Sequence, residues 1–215
     1  MELTSTSFSN EQPIPEEFAF ARRDPIQRVR LSNNRNPDLR WSDVPEECKT
    51  LALIVVDPDA PTVPDDVNKE GRTVAADLPR ADFHHWVMVD IPRSCTGITA
   101  GECSDGVTAR GKTKPLNPSG APAARQGQSD FTSWFAGDPE MAGTYLGYDG
   151  PGPPWNDERV HHYHFKLYAL DVDRCPVEGN FTAADVKRAI DGHVLAEATL
   201  TGTYTLNPTL QPVSG

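Results

Sequence analysis

The sequence predicts a mainly β fold, an antiparallel β-sandwich with a few short helices near the C-terminus. Three observations carry this. The 215 residues include 20 prolines and 16 glycines, concentrated in connecting segments, which favours many short elements joined by turns. Residues 83–92 and 161–172 alternate with a period of two, the pattern of half-buried strands. Leu51 to Val56 is a continuous apolar run with two valines and an isoleucine, as in a strand buried on both faces. One domain over residues 1–215 accommodates the chain and needs no metal or disulfide for stability.

Taken in order, residues 1–30 are polar with apolar beats at Leu3, Phe8, Ile14 and Phe18 to Phe20, suited to edge strands. The Leu51–Val56 strand is expected to stop at Asp57-Pro58-Asp59-Ala60-Pro61, because proline cannot donate to a ladder. Residues 62–80 are charged and read as a surface excursion. The next strand runs from Phe83 to Pro92, with His85, Val87, Val89 and Ile91 on one face and Trp86, Met88 and Asp90 on the other. Residues 93–147 are too long for an ordinary loop, so they are functional or contribute short strands. Gly150 to Pro154 forms a constrained loop. From His161 to Val172 the chain alternates again, with His161, Tyr163, Phe165 and Leu167 on one face. Thr182 and Asp185 are spaced as a capping box with Asp in the usual Glu position, so a helix follows to about Ile190. Gly192 ends it, Val194 to Ala198 form a further turn or short helix, and Leu200 to Leu206 is the last strand.

The formal net charge of -11 repels nucleic-acid phosphates and anionic membrane surfaces, so general nucleic-acid binding is not expected. A small local anion pocket remains compatible with it, because donors at close range outweigh a screened distant field. Cys48, Cys95, Cys103 and Cys175 form no Cys-x-x-Cys pair. Cys95 and Cys103 are spaced to bridge a loop, but free thiols are the default. No signal peptide is evident at the N-terminus, and no segment approaches the ~20 apolar residues that span a bilayer, so a cytoplasmic protein without integral membrane association is expected.

Asp57 with Asp59, His85, and His161 with Tyr163 all lie at ends of predicted strands, where a sandwich places its loops. In an extended chain Asp57 and Asp59 share a side, as do His161 and Tyr163. Two imidazoles held by carboxylates, with a tyrosine hydroxyl between them, would make a compact anion receptor. Gly150 and Gly152 add candidate backbone donors in a loop stiffened by proline. Ordinary structural roles compete for each residue. Asp is a common turn former, a histidine in an apolar strand is usually a hydrogen-bonded core residue, and Tyr163 is equally suited to the core. His84, His162 and His164 fall on the opposite face and read as structural or exposed.

"DPDAP", "HHWVMVDIP" and "GPGPPWNDERVHHYHFKLYAL" resemble, in order and spacing, the successive signatures of phosphatidylethanolamine-binding proteins, above all the bacterial and archaeal Raf-kinase-inhibitor-like branch. The resemblance covers about residues 1–207. It implies a β-sandwich-like fold with a cavity for phosphate-like groups. It also implies pocket roles for Asp57, Asp59, Pro61, His85, Gly150, Gly152, Pro153, His161 and Tyr163. Phe83 stands where many members have a rim tryptophan. His162 replaces the usual arginine of the third signature, removing a permanent cation near the acidic motif. Asp90 replaces an asparagine, and Gly152 a residue often cysteine.

The function expected is non-catalytic binding of a small phosphorylated or carboxylated ligand resembling a phospholipid headgroup, with no cofactor. The resemblance also implies a second reading, inhibition of a kinase or protease partner through residues 62–80 and 111–147, and it allows a homodimer. A metal-dependent hydrolase is the third. Asp57, Asp59, His85 and His161 are suitable zinc or manganese ligands. No His-x-x-x-His pair accompanies them, however, and no general base stands apart.

Overall fold

Strands form where the apolar and β-branched runs lie, and the chain is mainly β. The structure, a computed structural model, describes residues 1–210; residues 211–215, the end of the expected 1–215 domain, lie outside the described residues. The first half contains β1 (Glu2–Thr4), β2 (Gln12–Pro13), a 3-10 turn (Glu16–Phe18), β3 (Ala21–Asp24), β4 (Arg28–Leu31), β5 (Leu39–Ser42), β6 (Thr50–Pro61) and β7 (Arg80–Pro92). The second half adds β8 (Gly97–Ile98), β9 (Arg125–Gln126), α1 (Phe131–Trp134), β10 (His161–Leu170), α2 (Ala183–Ala189) and β11 (Val194–Tyr204).

A six-stranded sheet has the order β2-β11-β10-β6-β7-β9, and a three-stranded sheet the order β1-β5-β8. All pairings are antiparallel except the short β2–β11 contact, and β3 and β4 form a separate hairpin. Leu51, Leu53, Val55, Phe165 and Leu167 of the large sheet share one apolar cluster with Leu3, Leu39, Trp41 and Ile98 of the small one, which makes the sandwich. From the other face Ala52, Ile54, Val87 and Val89 pack against Phe181, Val186 and Ile190 around α2. Each fully buried Leu, Ile or Phe contributes about 1.5–3 kcal/mol. The central β6, buried without interruption from Thr50 to Asp57, therefore anchors both layers. The capping box at α2 is present: Thr182 Oγ1 accepts from the Asp185 N–H, and the Asp185 carboxylate accepts from the Thr182 N–H.

Four expectations are corrected. β6 does not stop at Asp57 but continues to Pro61, because a bulge between Asp57 and Ala60 absorbs the prolines while pairing to β7 resumes. On β7 the strict alternation fails. His85 is an extra residue between the pairs Val55–Trp86 and Val56–His84, so His85 and Trp86 both turn toward the sandwich core. A second bulge, with Asp90 at a φ of 61°, returns Ile91 to the same side as Trp86 and Met88. Val194 to Ala198 is strand rather than turn or helix: pairing with β10 overrides the helix preference of Leu195, Ala196, Glu197 and Ala198. Residues 93–147 contribute β8, β9 and α1, so not every helix lies near the C-terminus. Cys95 and Cys103 are free and buried. Among the described residues no helix is long and apolar enough to cross a membrane.

Candidate functional site

β6 and β10 pair only from Thr50–Leu170 to Val56–His164. Beyond that point they part, and the fork between them opens into a cavity of about 200 Å³. This lies below the roughly 300–1,000 Å³ of drug-sized sites and suits a small group. Asp57 and Pro61 of β6 form one wall, Phe83 and His85 of β7 the next, and His161 and Tyr163 of β10 the third. Gly152 and Pro153 close it from the preceding loop, and Phe131 and Trp134 of α1 form an aromatic rim.

Two expected residues lie elsewhere. Asp59 does not share a side with Asp57, because its N–H is held by Asp57 Oδ1 at 2.8 Å and the bulge turns it outward. Its carboxylate instead accepts from the His162 N–H at 3.0 Å and pairs with the His162 ring at 2.8 Å. Burial tends to raise the Asp59 pKa, but these His162 contacts outweigh it and hold the carboxyl below its ordinary value. Arg159 approaches Asp59 at 3.5 Å, so a cation does stand beside the acidic motif although His162 has replaced the usual arginine. Gly150 is not a free donor: its N–H goes to Asn34 Oδ1 at 2.8 Å. A Cβ there would lie 2.1 Å from the Phe18 carbonyl oxygen, so close backbone packing requires this glycine.

His161 is not a free donor either. Its Nδ1 meets Asp57 Oδ2 at 2.7 Å and its Nε2 meets Asp157 Oδ2 at 3.1 Å, which engages both ring nitrogens. Asp157 is in turn gripped by both terminal nitrogens of Arg80, at 2.6 and 3.0 Å. The result is a buried row of alternating charge, Arg80–Asp157–His161–Asp57. Burial opposes the charge on His161, but the two carboxylates prevail and raise its pKa to about 9. The imidazolium itself occupies the place a cation between the carboxylates would take. No group of three or more His, Cys, Asp or Glu among the described residues is arranged to hold a metal ion.

His85 is different. It is 3% exposed, and its Nδ1 lies 2.8 Å from the Asp149 carbonyl oxygen. A carbonyl only accepts, so Nδ1 carries a proton. Burial outweighs the pull of Asp57 and lowers the pKa, so the ring is neutral and Nε2 bears a lone pair. That Nε2 has no hydrogen-bond partner among the described residues, on the wall of the cavity. The Tyr163 hydroxyl is buried close to the Asp57 carboxylate without a well-formed hydrogen bond, and burial, followed by the charge of that carboxylate and its contact with the hydroxyl, pushes its pKa well above the ordinary value.

Asp157, Arg80 and α1 were not anticipated. The Asp157–His161 spacing of four suggests nothing in a non-helical segment, and Arg80 arrives from another strand. Asp130 before Phe131 was the legible sign of α1, although its carboxylate caps β7 rather than the helix. It accepts from the His84 N–H at 2.7 Å and pairs with the His84 ring at 2.9 Å, which fixes the aromatic rim to the sheet.

The phosphatidylethanolamine-binding protein family model matches residues 4–205. A UPF0098 protein of Methanothermobacter thermautotrophicus is 31% identical over 95% of this chain and 98% of its own length. The UPF0098 protein YbcL of Escherichia coli is 32% identical over 80% of this chain and 72% of its own length. The crystal structure of YbcL, described as a member of the mammalian PEBP family, superposes with a TM-score of 0.65 at 28% identity, covering 95% of this chain and 97% of that one. A phosphatidylethanolamine-binding protein homologue from Chlamydia trachomatis gives 0.61 at 28% identity, over 94% and 95%. With a family match over almost the whole length and the same sandwich in two solved relatives, the chain belongs to the phosphatidylethanolamine-binding protein family.

Proposed function

We propose that this protein binds, without transforming, one small phosphorylated or carboxylated group in the fork between β6 and β10, and that it does so in the cytoplasm. The observation that carries this is the unpartnered Nε2 of the buried His85 on the cavity wall. A polar atom of a buried side chain that meets a cavity instead of a protein partner favours a ligand that supplies one. The Tyr163 hydroxyl supports the same reading, as does the Gly152 N–H, which makes no hydrogen bond among the described residues. The aromatic rim gives an apolar path for the remainder of a headgroup-like ligand.

The non-catalytic part rests on occupied groups. His161 is held between two carboxylates, and Asp57 is engaged by His161 and by the Asp59 N–H, so neither stands free as a general base; His85 Nε2 is free, but no serine or cysteine among the described residues lines the cavity for it to activate. Calorimetric titration with O-phosphoethanolamine tests the proposal. Binding is expected for the wild type, weakened about tenfold in Tyr163→Phe by loss of one hydrogen bond to a charged group. It is expected to be abolished in His85→Ala. Unchanged affinity in both variants would remove the cavity from consideration.

A further inference from the structure

We propose, resting on the ligand-binding reading above, that the cavity accepts a tetrahedral anion when that anion carries an acidic hydroxyl, as a hydrogen phosphate monoester does, and discriminates against fully ionised isosteres such as sulfate esters.

The argument begins with what the walls offer. A fully ionised anion needs donors on every side. Among the described residues lining the cavity there is no lysine or arginine. Lys187, which reaches the lining residue Asp82 at 3.2 Å, is also taken by the His84 ring at 3.1 Å. His161, the only cationic ring on the wall, spends both nitrogens on Asp57 and Asp157. His85 spends its one proton on the Asp149 carbonyl and turns a lone pair to the cavity. Asp57 adds an acceptor-only carboxylate.

Among the described residues the unpartnered donors on the walls are therefore all neutral, the Tyr163 hydroxyl, the Asn68 amide, the Trp134 indole N–H and the Gly152 N–H, and the His85 position is an acceptor. A monoester of the form ROPO₃H⁻ matches that set. Its P–O–H donates to His85 Nε2, while its ionised oxygens accept from Tyr163 and Gly152. The proton stays on the ligand, and no bond to phosphorus changes. A sulfate ester has the same shape and charge but no proton, so it sets lone pairs against both His85 Nε2 and Asp57.

The groups around His85 pull its protonation in opposite directions. They are Phe83 on its own strand, Asp57 on β6, Tyr163 on β10, Phe131 on α1 and, from the preceding loop, the Asp149 carbonyl; the Asp130 carboxylate acts from farther away. Asp149 is itself neutralised by Lys112 at 2.7 Å. Burial of the imidazole wins over the two carboxylates.

The experiment titrates the full chain calorimetrically with O-phosphoethanolamine and with ethanolamine O-sulfate, at about pH 5.5 and about pH 7.5, on either side of the second phosphate pKa near 6. The sulfate ester is expected to bind at least about tenfold more weakly at the lower pH, from loss of one hydrogen bond to a charged ligand. Phosphate-ester affinity is expected to rise about twentyfold from the higher to the lower pH, following the monoanion fraction. In His85→Gln the side-chain amide can turn its NH₂ to the ligand, so the gap between the esters should close. If that variant fails to fold, the wild-type comparison decides alone. Equal binding of the two esters, or a phosphate-ester affinity that does not fall with pH, overturns the discrimination and leaves the binding site intact. If neither ester binds, the underlying ligand-binding reading falls and this inference with it.

Discussion

Replacing His161 should remove a specific pH dependence of stability. In the folded chain its pKa rises from the ordinary 6.5 to about 9, because Asp57 and Asp157 hold the imidazolium against the penalty of burial. Between those two values the folded state binds a proton that the unfolded state has released. Stability is therefore fully present below the ordinary value and falls as pH rises through the folded one, by at most about 1.4 kcal/mol per pH unit. Integrated from about pH 6 to about pH 8.5, the loss is about 2 kcal/mol. With a urea m-value of about 2 kcal/mol/M, the unfolding midpoint should drop by about 1 M over that range. His85 acts in the opposite sense: its folded pKa is lowered, so its contribution is lost as pH falls through the ordinary 6.5, which offsets part of the decline at the acidic end of the range and is common to the wild type and the His161 variant. The buried thiols of Cys103 and Cys175, pushed up to about 12 and about 11, add losses only above the ordinary thiol value of 9.0. Urea titrations followed by circular dichroism measure the slope in the wild type and in His161→Gln. A flat wild-type profile, or an equal slope in the variant, would refute the assignment of the imidazolium.

Two further outcomes follow from packing. Arg80→Ala leaves Asp157 buried without its guanidinium, since the Arg80 side chain is 6% exposed and that of Asp157 is 1% exposed. The loss should be about 3–5 kcal/mol, or roughly 10 °C in thermal midpoint, and an unshifted midpoint in scanning calorimetry contradicts it. Gly202→Ala places a Cβ 2.4 Å from Ile14 Cγ1 and 2.9 Å from Phe8 Cε2. Overpacking there should destabilise by about 1–3 kcal/mol in urea unfolding, and a second change, Ile14→Ala, should recover part of it.

How much of this was readable in the chain depended on whether local pattern or distant pairing decided the outcome. β10 was legible because its alternation runs without a bulge, burying His161, Tyr163, Phe165 and Leu167 on one side. β7 was legible as a strand but not in its facing, since an inserted residue at His85 reverses Trp86 to Val89 relative to it until a second bulge at Asp90 restores Ile91. The first part of β11 was hidden by helix-forming residues that tertiary pairing overrode. Within the site, Asp57, His85 and Tyr163 were recognisable as polar groups at strand ends. The state of each nitrogen was not: the engagement of His161 depends on Asp157 and that of His85 on the Asp149 carbonyl, partners that only the folded chain brings within reach.

The parting of β6 from β10 leaves main chain that could recruit a stray β-segment from another molecule, a known route to aggregation. Pro58 and Pro61 lack the N–H such a segment would grip, and the Asp59 N–H is already satisfied by Asp57. The residues that unzip the sheet thus also guard the gap, so the entrance stays clear for a small molecule and closed to an intruding strand.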